Sequence, residues 1–197
     1  MKKLIAIIAM TLCMTFLSTA FAESPMATIK DHVDKVLEVL RDPSLKSESG
    51  KKAKTKKVRA IADGMFDFTE MSKRTLALNW RRFSPQQQAE FVSLFKDLLA
   101  DTYADKIMSY TDEKISFTKE IKLTENTFEV QSIVLRKTQE IPINYRALND
   151  DGKWLIYDVV IEGVSLVNNY RSQFREALSN KPPESLLETL RKKASKV

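Results

Sequence analysis

Residues 157–171, with the sequence YDVVIEGVSLVNNYR, contain the feature that most constrains the fold. Three apolar residues, 159–161, follow one another inside a strand-like segment, and Gly163 then interrupts the run. Because successive side chains of a strand point to opposite faces, such a run requires cover on both faces. The stretch therefore predicts a strand that is buried on both sides, followed by a helix that begins near Leu166 with Ser165 as its cap.

The first 22 residues have the pattern of an export signal. Lys2 and Lys3 precede a mainly apolar run over residues 4–17, and residues 20–22 read Ala-Phe-Ala. This pattern is typical of a cleaved signal peptide, and the run is shorter than the roughly 20 residues of a permanent membrane anchor. We therefore expect residues 1–22 to be removed and residues 23–197 to form a single exported domain.

The cysteine content limits the chemistry of that domain. Cys13 is the only cysteine and lies inside the apolar run, where Leu12 stands in place of the small residue that a lipoprotein signal requires. We expect the exported domain to contain no disulfide, although its compartment would permit one.

The net charge bears on possible partners. The full chain carries +6, and loss of Lys2 and Lys3 lowers this to +4. Because we expect the protein to be exported, its basic excess does not point to nucleic acid as a partner. It suits an anionic membrane or an acidic protein surface. The five lysines and one arginine of residues 51–59 fit either a solvated helix face or a surface that steers the protein to such a partner.

The N-terminal half has the apolar spacing of helices. Apolar residues recur at intervals of three and four from Met26 to Leu40, which predicts a first helix. The clearest helix start is Ser84, followed by Pro85 and by Gln87 in the capping-box position. The long apolar stripe that follows predicts a central helix.

After Tyr110 the apolar spacing falls to two, which indicates strands. Asn-Asp-Asp-Gly at residues 149–152 predicts a hairpin turn, and helical spacing returns after Leu166. We therefore expect an α+β fold: N-terminal helices, a four-stranded antiparallel meander, and two C-terminal helices. The second and fourth strands are apolar on both faces, so either helices cover both faces or one face lines an internal pocket.

The composition offers little for catalysis. His32 is the only histidine, the four glycines form no phosphate-binding loop, and Ser165 does not lie in a G-x-S-x-G context. No pattern predicts a metal site or a cofactor. The one acid–base set worth naming is Asp158 with Tyr145 or Tyr157. A buried Asp158 needs a partner, and pairing with Arg146 or Arg171 is the favoured interpretation, so we expect no enzyme.

Two segments, residues 91–110 and 152–174, resemble the MlaC and toluene-tolerance family of auxiliary transport proteins. The resemblance extends from about residue 26 to residue 190. Many members have Gly where this chain has Ala77. Its most specific part is the pattern W-x-x-Y-D-x-x-x-E-G-V-S, formed by Trp154, Tyr157, Asp158, Glu162, Gly163, Val164 and Ser165.

The resemblance implies a fold related to the NTF2-like and cystatin-like architectures, with an apolar cavity that takes the acyl chains of a phospholipid. It implies a periplasmic shuttle that maintains outer-membrane lipid asymmetry. The partners would be an outer-membrane lipoprotein–porin complex and an inner-membrane ABC transporter with an MCE-domain subunit, with transient contact near the membrane. We expect a monomer without a cofactor.

On this basis we expect the central helix to supply one cavity wall, formed by Leu94, Phe95, Leu98, Leu99 and Tyr103. The sheet would supply the other, formed by Ile133, Leu135, Ile143, Tyr145, Tyr157, Val159 and Ile161. Ordinary core packing is the alternative for each of these residues. Candidates near the headgroup or a partner surface are Arg136, Arg146 and Arg171, because arginine suits bidentate phosphate contacts.

Two other functions stay open at this point. One is a periplasmic binding protein for another hydrophobic ligand, such as a hopanoid, a sterol-like lipid, a fatty acid or an organic solvent. The other is an NTF2-like enzyme that uses Asp158. The direction of transport, the headgroup preference, the number of acyl chains and the sheet face that lines the cavity do not follow from the sequence.

Overall fold

The computed structural model describes residues 23–45, 47–110, 113–136 and 138–194. The expected signal peptide, residues 1–22, lies outside the described residues. None of the helices in these ranges combines the length and apolar character that a bilayer-spanning segment requires.

Helices precede and follow the sheet, as the sequence predicts. Two short 3₁₀ segments, Pro43–Leu45 and Ala77–Arg82, join helices in the first half. Within the described ranges the α-helices are α1 (Pro25–Arg41), α2 (Glu48–Met65), α3 (Phe68–Leu76), α4 (Pro85–Met108), α5 (Leu166–Ala177) and α6 (Pro183–Ala194).

Side-chain caps fix where α4 and α5 begin. The capping box predicted at the start of α4 is present: the Ser84 hydroxyl accepts from the Gln87 amide, and the Gln87 side chain accepts from the Ser84 amide. The start of α5 is also as predicted, because the Ser165 hydroxyl accepts from the Asn168 amide at 3.0 Å.

The sheet is an antiparallel meander in the order β1-β2-β3-β4-β5. Its strands are β1 (Lys114–Thr124), β2 (Thr127–Leu135), β3 (Glu140–Asp150), β4 (Lys153–Ile161) and β5 (Val164–Ser165). The predicted α+β class is confirmed, but the predicted count of four strands is wrong.

The fifth strand arises from the Glu-Gly pair after β4. Glu162 and Gly163 have φ angles of 50° and 81°, which turn the chain back tightly enough for two residues to pair with β4. A two-residue strand gives no period-two signal, so the sequence could not reveal it.

A β-bulge at Tyr157 decides which way β4 points its side chains. Arg146 of β3 pairs with Asp158, whereas the next residue, Ala147, pairs with Ile156. Tyr157 is therefore the extra residue. As a result Ile156 and Val159 face the same side of the sheet, and Tyr157 faces the other.

Helices cover both faces of β4, which answers the question raised by its apolar run. Helix α1 packs across β1, β2 and β4 on one face, while α3 and α5 pack on β4 from the opposite face. Helix α4 packs mainly against α6 and α3. The central helix of the prediction therefore lies behind other helices, and its main contacts are not with the sheet.

Candidate functional site

A continuous apolar layer separates α1 from the sheet, and we call it the α1–sheet layer. On the helix it contains Ile29, Val33 and Leu37, which are at most 8% exposed and follow one another at intervals of four. The sheet contributes buried side chains from three strands: Val130, Tyr145, Ala147, Ile156 and Val159. Half-buried residues at its margin include Ile115, Phe117, Ile143 and Ile161. From Ile29 to Leu37 the buried apolar face of the helix extends for about 12 Å, at 1.5 Å per residue.

Tyr145 is the one polar group among the buried sheet residues of this layer. Burial raises the pKa of its phenol to about 12, and a hydrogen bond with Ser132 opposes part of that rise. Tyr145 therefore stays neutral at any physiological pH, and it adds no charge to the layer.

Helix α1 is fastened to the rest of the molecule by polar contacts at its two ends. At the N-terminal end the Met26 amide donates to Glu120 Oε2 at 2.9 Å, and Trp154 Nε1 donates to the Glu23 carbonyl at 2.9 Å. At the C-terminal end Arg41 Nη2 donates to the Glu113 carbonyl at 3.0 Å. Between these ends, apolar packing holds α1 against the sheet.

On the opposite side of β4 the helices enclose a cluster of aromatic rings. Phe91, Phe95, Tyr170 and Phe174 lie with ring centroids 5.1–5.7 Å apart, mostly edge to face. These distances are those of rings in direct contact. The aromatic cluster, which also contains Tyr157, is therefore filled by its own side chains.

Asp158 joins the sheet to α5. Its Oδ2 atom accepts from the Ser165 hydroxyl at 2.7 Å and from Arg146 Nη1 at 3.3 Å. Its Oδ1 atom accepts from the Val167 amide at 3.0 Å. The carboxylate thus satisfies a free amide of the first turn of α5, while Arg146 balances its charge.

These contacts favour a structural role for Asp158 over the catalytic alternative. The predicted pairing with Arg146 is confirmed. Tyr145 pairs with Val159 and points to the α1 side, away from the Asp158 carboxylate. Tyr157 packs in the aromatic cluster, with the Arg74 guanidinium 4.0 Å above its ring centre. In the ranges that the structure describes, no three His, Cys, Asp or Glu side chains come together as metal ligands would.

The structure divides the predicted cavity residues into separate groups. All five residues expected from α4 belong to the aromatic cluster or pack against it, and of the sheet residues only Tyr157 joins them. Four sheet residues lie instead in the α1–sheet layer: Ile143, Tyr145, Val159 and Ile161. Ile133 and Leu135 belong to neither cluster, and Leu135 is 38% exposed.

The structure therefore places most of the two predicted walls on opposite sides of β4, and the assignment of these residues to a lipid cavity stays a prediction. The bulge is the physical reason within β4, because residues 157 and 159 share a parity in the sequence but face opposite sides. On β2 the register is the reason. Ile133 pairs with Pro142 and so points away from the side of Ile143.

The three candidate arginines have different surroundings. Arg146 is half-buried and bonded to Glu129 and Asp158, so it stabilises the fold. Arg171 Nε donates to the Arg74 carbonyl at 2.8 Å beside the aromatic cluster. Arg136 is 43% exposed and pairs with Glu113, next to the C-terminal end of α1.

The residues of α1 are not among those that the sequence assigns to the cavity. Their spacing of four marked one buried face of a helix, but it could not show which sheet face that helix covers.

Two surface grooves flank α2. One of about 500 Å³ is lined by Lys52, Thr55, Lys56, Arg59, Ala60 and Asp63. The other, of about 740 Å³, runs between α1 and α2 past Leu37 and Arg41. None of the twelve predicted cavity residues lines either groove.

Comparison with solved structures supports this fold. The chain superimposes on the phospholipid-binding protein from Ralstonia solanacearum, solved in complex with a phospholipid, with a TM-score of 0.78 and 24% sequence identity. The match covers 88% of this chain and 98% of that one. At this identity it shows a shared fold.

Curated relatives carry related names. The chain is 24% identical over 127 residues to the intermembrane phospholipid transport system binding protein MlaC of Haemophilus influenzae, a match that covers 62% of this chain and only 59% of that protein. It is 21% identical over 164 residues to the toluene tolerance protein ttg2D of Pseudomonas putida, covering 82% and 76%. The family model described as MlaC protein matches residues 30–192. The chain therefore belongs to the MlaC protein family.

Proposed function

We propose that this protein is a periplasmic, non-enzymatic phospholipid carrier that moves lipid between the outer membrane and an inner-membrane ABC transporter. The observation that carries the proposal is the fold shared with a protein solved in complex with a phospholipid, over 98% of that chain. Family membership over residues 30–192 and the name of the Haemophilus relative support it. The pattern of residues 1–22 supports export.

The α1–sheet layer is the part of the molecule that we assign to the acyl chains. It is apolar on both sides, and the only phenol buried in its sheet wall stays neutral. The aromatic cluster suits acyl chains less well, since its rings already fill the space between α4 and α5. Ile143, Tyr145, Val159 and Ile161 therefore stay as proposed lipid contacts, joined by Ile29, Val33 and Leu37 of α1.

Lipid would enter by separating α1 from the sheet. The contacts at the two ends of α1 include three hydrogen bonds, each contributing about 1–3 kcal/mol. Apolar packing between the ends is replaced by apolar contact with acyl chains, so the exchange costs little hydrophobic free energy. Two acyl chains carry on the order of 30 methylenes at about 0.8 kcal/mol each, so an apolar layer removes most of the cost of crossing water.

A carrier of this kind must approach a membrane or a membrane protein. The face of α2 that carries Lys52 and Lys56 is our candidate for that contact. Neither lysine has a carboxylate oxygen within 4.0 Å among the described residues. On α1, by contrast, Lys30 and Lys35 pair with aspartates four residues away. Unneutralised lysines attract anionic lipid headgroups, and an acidic surface on the lipoprotein–porin complex or the MCE-domain subunit offers the same chemistry.

Native mass spectrometry with lipid extraction, combined with vesicle-to-vesicle transfer, tests the function. We expect phospholipid to co-purify and the protein to move labelled phospholipid between two vesicle populations. Co-purification of a hopanoid or a fatty acid in place of phospholipid would move the assignment to another hydrophobic ligand. Protein that is empty and transfers no lipid would overturn the carrier function altogether.

A further inference from the structure

The 3₁₀ segment Ala77–Arg82, which we call the tip, presents an apolar side chain to solvent. Leu78 is 84% exposed, more than any other large apolar residue in the described ranges. Ala77, with a φ angle of 49°, turns the chain out of α3 immediately before it. Because burial of a leucine side chain is favourable, contact of Leu78 with another molecule would be favourable too.

Hydrogen bonds from two sides hold the tip in place. Arg82 Nη2 donates to the Lys181 carbonyl, which lies between α5 and α6. From α4, Gln88 Nε2 donates to the carbonyls of Trp80 and Phe83 at 3.0 and 3.2 Å. A surface that is already ordered loses little conformational entropy when a partner binds.

Positive charge is concentrated around the tip. Residues 70–82 and 171–181 meet where Arg171 Nε donates to the Arg74 carbonyl at 2.8 Å. Together they contain seven cationic side chains and two carboxylates, a net charge of +5, which exceeds the +4 of residues 23–197 as a whole. The carboxylates are Glu70 and Glu176, and the cations are Lys73, Arg74, Arg81, Arg82, Arg171, Arg175 and Lys181.

Much of this charge is not neutralised inside the protein. Glu70 pairs with two of the cations, both on α3. Glu90 and Glu184, on the neighbouring helices α4 and α6, both pair with Arg191. Within the part of the chain that the structure describes, three exposed cations make no side-chain hydrogen bond or ion pair: Arg81, Arg175 and Lys181.

The kind of cation distinguishes this surface from the lysine face of α2. Five of the seven cations around the tip are arginines, whereas residues 51–59 contain five lysines and one arginine. Arginine is enriched and lysine is depleted in protein–protein interfaces, because the planar guanidinium forms paired hydrogen bonds with a carboxylate. The surface around the tip therefore suits the carboxylates of a protein better than a lipid surface.

We propose that the tip binds an acidic surface of a partner protein, with Leu78 in an apolar pocket and with Arg81 and Arg175 paired to carboxylates around it. An apolar centre with a polar rim is the usual arrangement of a protein interface. Opposite charges on the two surfaces also speed their encounter at low salt. Binding of this partner does not depend on what the protein carries, so it can be tested separately from the proposed function.

Photo-crosslinking from position 78 tests the chemistry of the partner. Benzoylphenylalanine replaces Leu78 in the full chain, cells are irradiated, and the crosslinked peptide is sequenced by mass spectrometry. We expect one other protein, joined through a segment that contains several Asp or Glu residues. The control is the same replacement at Leu123, which is 44% exposed outside the tip and should not crosslink to that segment.

The affinity for the purified partner tests the residues. In isothermal titration calorimetry we expect Arg81→Gln, Arg175→Gln to weaken binding at least tenfold, and Leu78→Gln to weaken it about tenfold. The matched control Lys30→Gln, Lys35→Gln removes the same charge from α1 and should change the affinity less than twofold. Binding by the wild type should weaken as salt is added.

Other outcomes overturn the inference. Crosslinks to lipid alone would assign the tip to a membrane, and crosslinks to a second copy of this chain would make it a dimer contact. The absence of crosslinks, a partner segment without carboxylates, or equal effects of the two double variants would also overturn it. Leu78→Gln should transfer lipid between vesicles as well as the wild type does; a loss of transfer would show that the tip acts in lipid binding instead.

Discussion

The Ser165 hydroxyl donates to Asp158 Oδ2 at 2.7 Å while it accepts from the Asn168 amide at 3.0 Å. One buried carboxylate on β4 therefore orients the hydroxyl that caps α5. Glu162 and Gly163, with positive φ, turn the chain so that residues seven apart can meet. This relationship explains in physical terms how Asp158, Glu162, Gly163 and Ser165 act together as one structural unit.

Replacing Asp158 by Asn should destabilise the fold. The amide can still accept from Val167, but it removes the charge of the more deeply buried of the two carboxylates that pair with Arg146, and Glu129 is the one that stays. We expect a loss of about 2 kcal/mol in the free energy of unfolding, less than for a fully buried pair because Arg146 is 33% exposed. Urea denaturation measures the change. Asp105→Asn, at an exposed position of α4, should change stability by less than about 0.5 kcal/mol. Equal effects of the two variants would contradict the structural role.

Ala77→Gly should stabilise the protein. Ala77 has φ 49° and ψ −124°, a conformation that costs a residue with a side chain about 1–3 kcal/mol and that glycine adopts freely. Glycine also loses more backbone entropy on folding, which offsets part of this gain. We therefore expect a net increase of about 1 kcal/mol in the free energy of unfolding, measured by urea denaturation. The matched control Ala104→Gly, in the interior of α4, should lose about 1 kcal/mol. A loss at position 77 as well would show that the conformation carries no strain.

Much of this fold can be predicted from local patterns. The spacing from Met26 to Leu40, the capping box at Ser84 and the hairpin at residues 149–152 each report on a few neighbouring residues, and each matches the structure.

The site was harder to predict because it depends on pairings between distant residues. The bulge at Tyr157 changes which side chains of β4 face each side of the sheet, and no pattern in residues 157–161 predicts it. The packing of the sheet decides which of its faces α1 covers. The apolar stripe of a helix carries no information about that choice.

Stability should fall at high pH because of Tyr145. Its pKa is raised to about 12 in the folded state by burial, whereas that of an unfolded tyrosine is 10.0. Folding therefore favours the protonated form, so this contribution is intact below pH 10 and is lost as the pH rises from 10 to about 12. The loss is roughly 2–3 kcal/mol at most. Urea denaturation at several pH values should show that Tyr145→Phe removes that part of the decline. An unchanged decline in the variant would contradict the burial of a neutral phenol.

The lysine face of α2 should control binding to anionic membranes. We expect Lys52→Gln, Lys56→Gln to reduce co-sedimentation with vesicles of mixed phosphatidylcholine and phosphatidylglycerol about tenfold, given about 1 kcal/mol per lysine near an anionic surface. The matched control Lys30→Gln, Lys35→Gln removes the same charge from lysines that are already paired, and it should have less than a twofold effect. Raising the salt concentration should weaken wild-type binding. Equal effects of the two double variants, or wild-type binding that ignores phosphatidylglycerol, would show that α2 does not dock on lipid.

Two filling substitutions test whether the acyl chains lie between α1 and the sheet. Val159→Phe adds volume inside the α1–sheet layer, and Leu98→Phe adds volume beside the aromatic cluster. Both should lower stability by about 1–3 kcal/mol through overpacking, so stability alone does not separate them. The deciding measurement is the fraction of each purified protein that carries phospholipid, determined by native mass spectrometry. We predict at least a threefold loss for Val159→Phe and none for Leu98→Phe; the reverse pattern would show that the acyl chains lie on the α4 side instead.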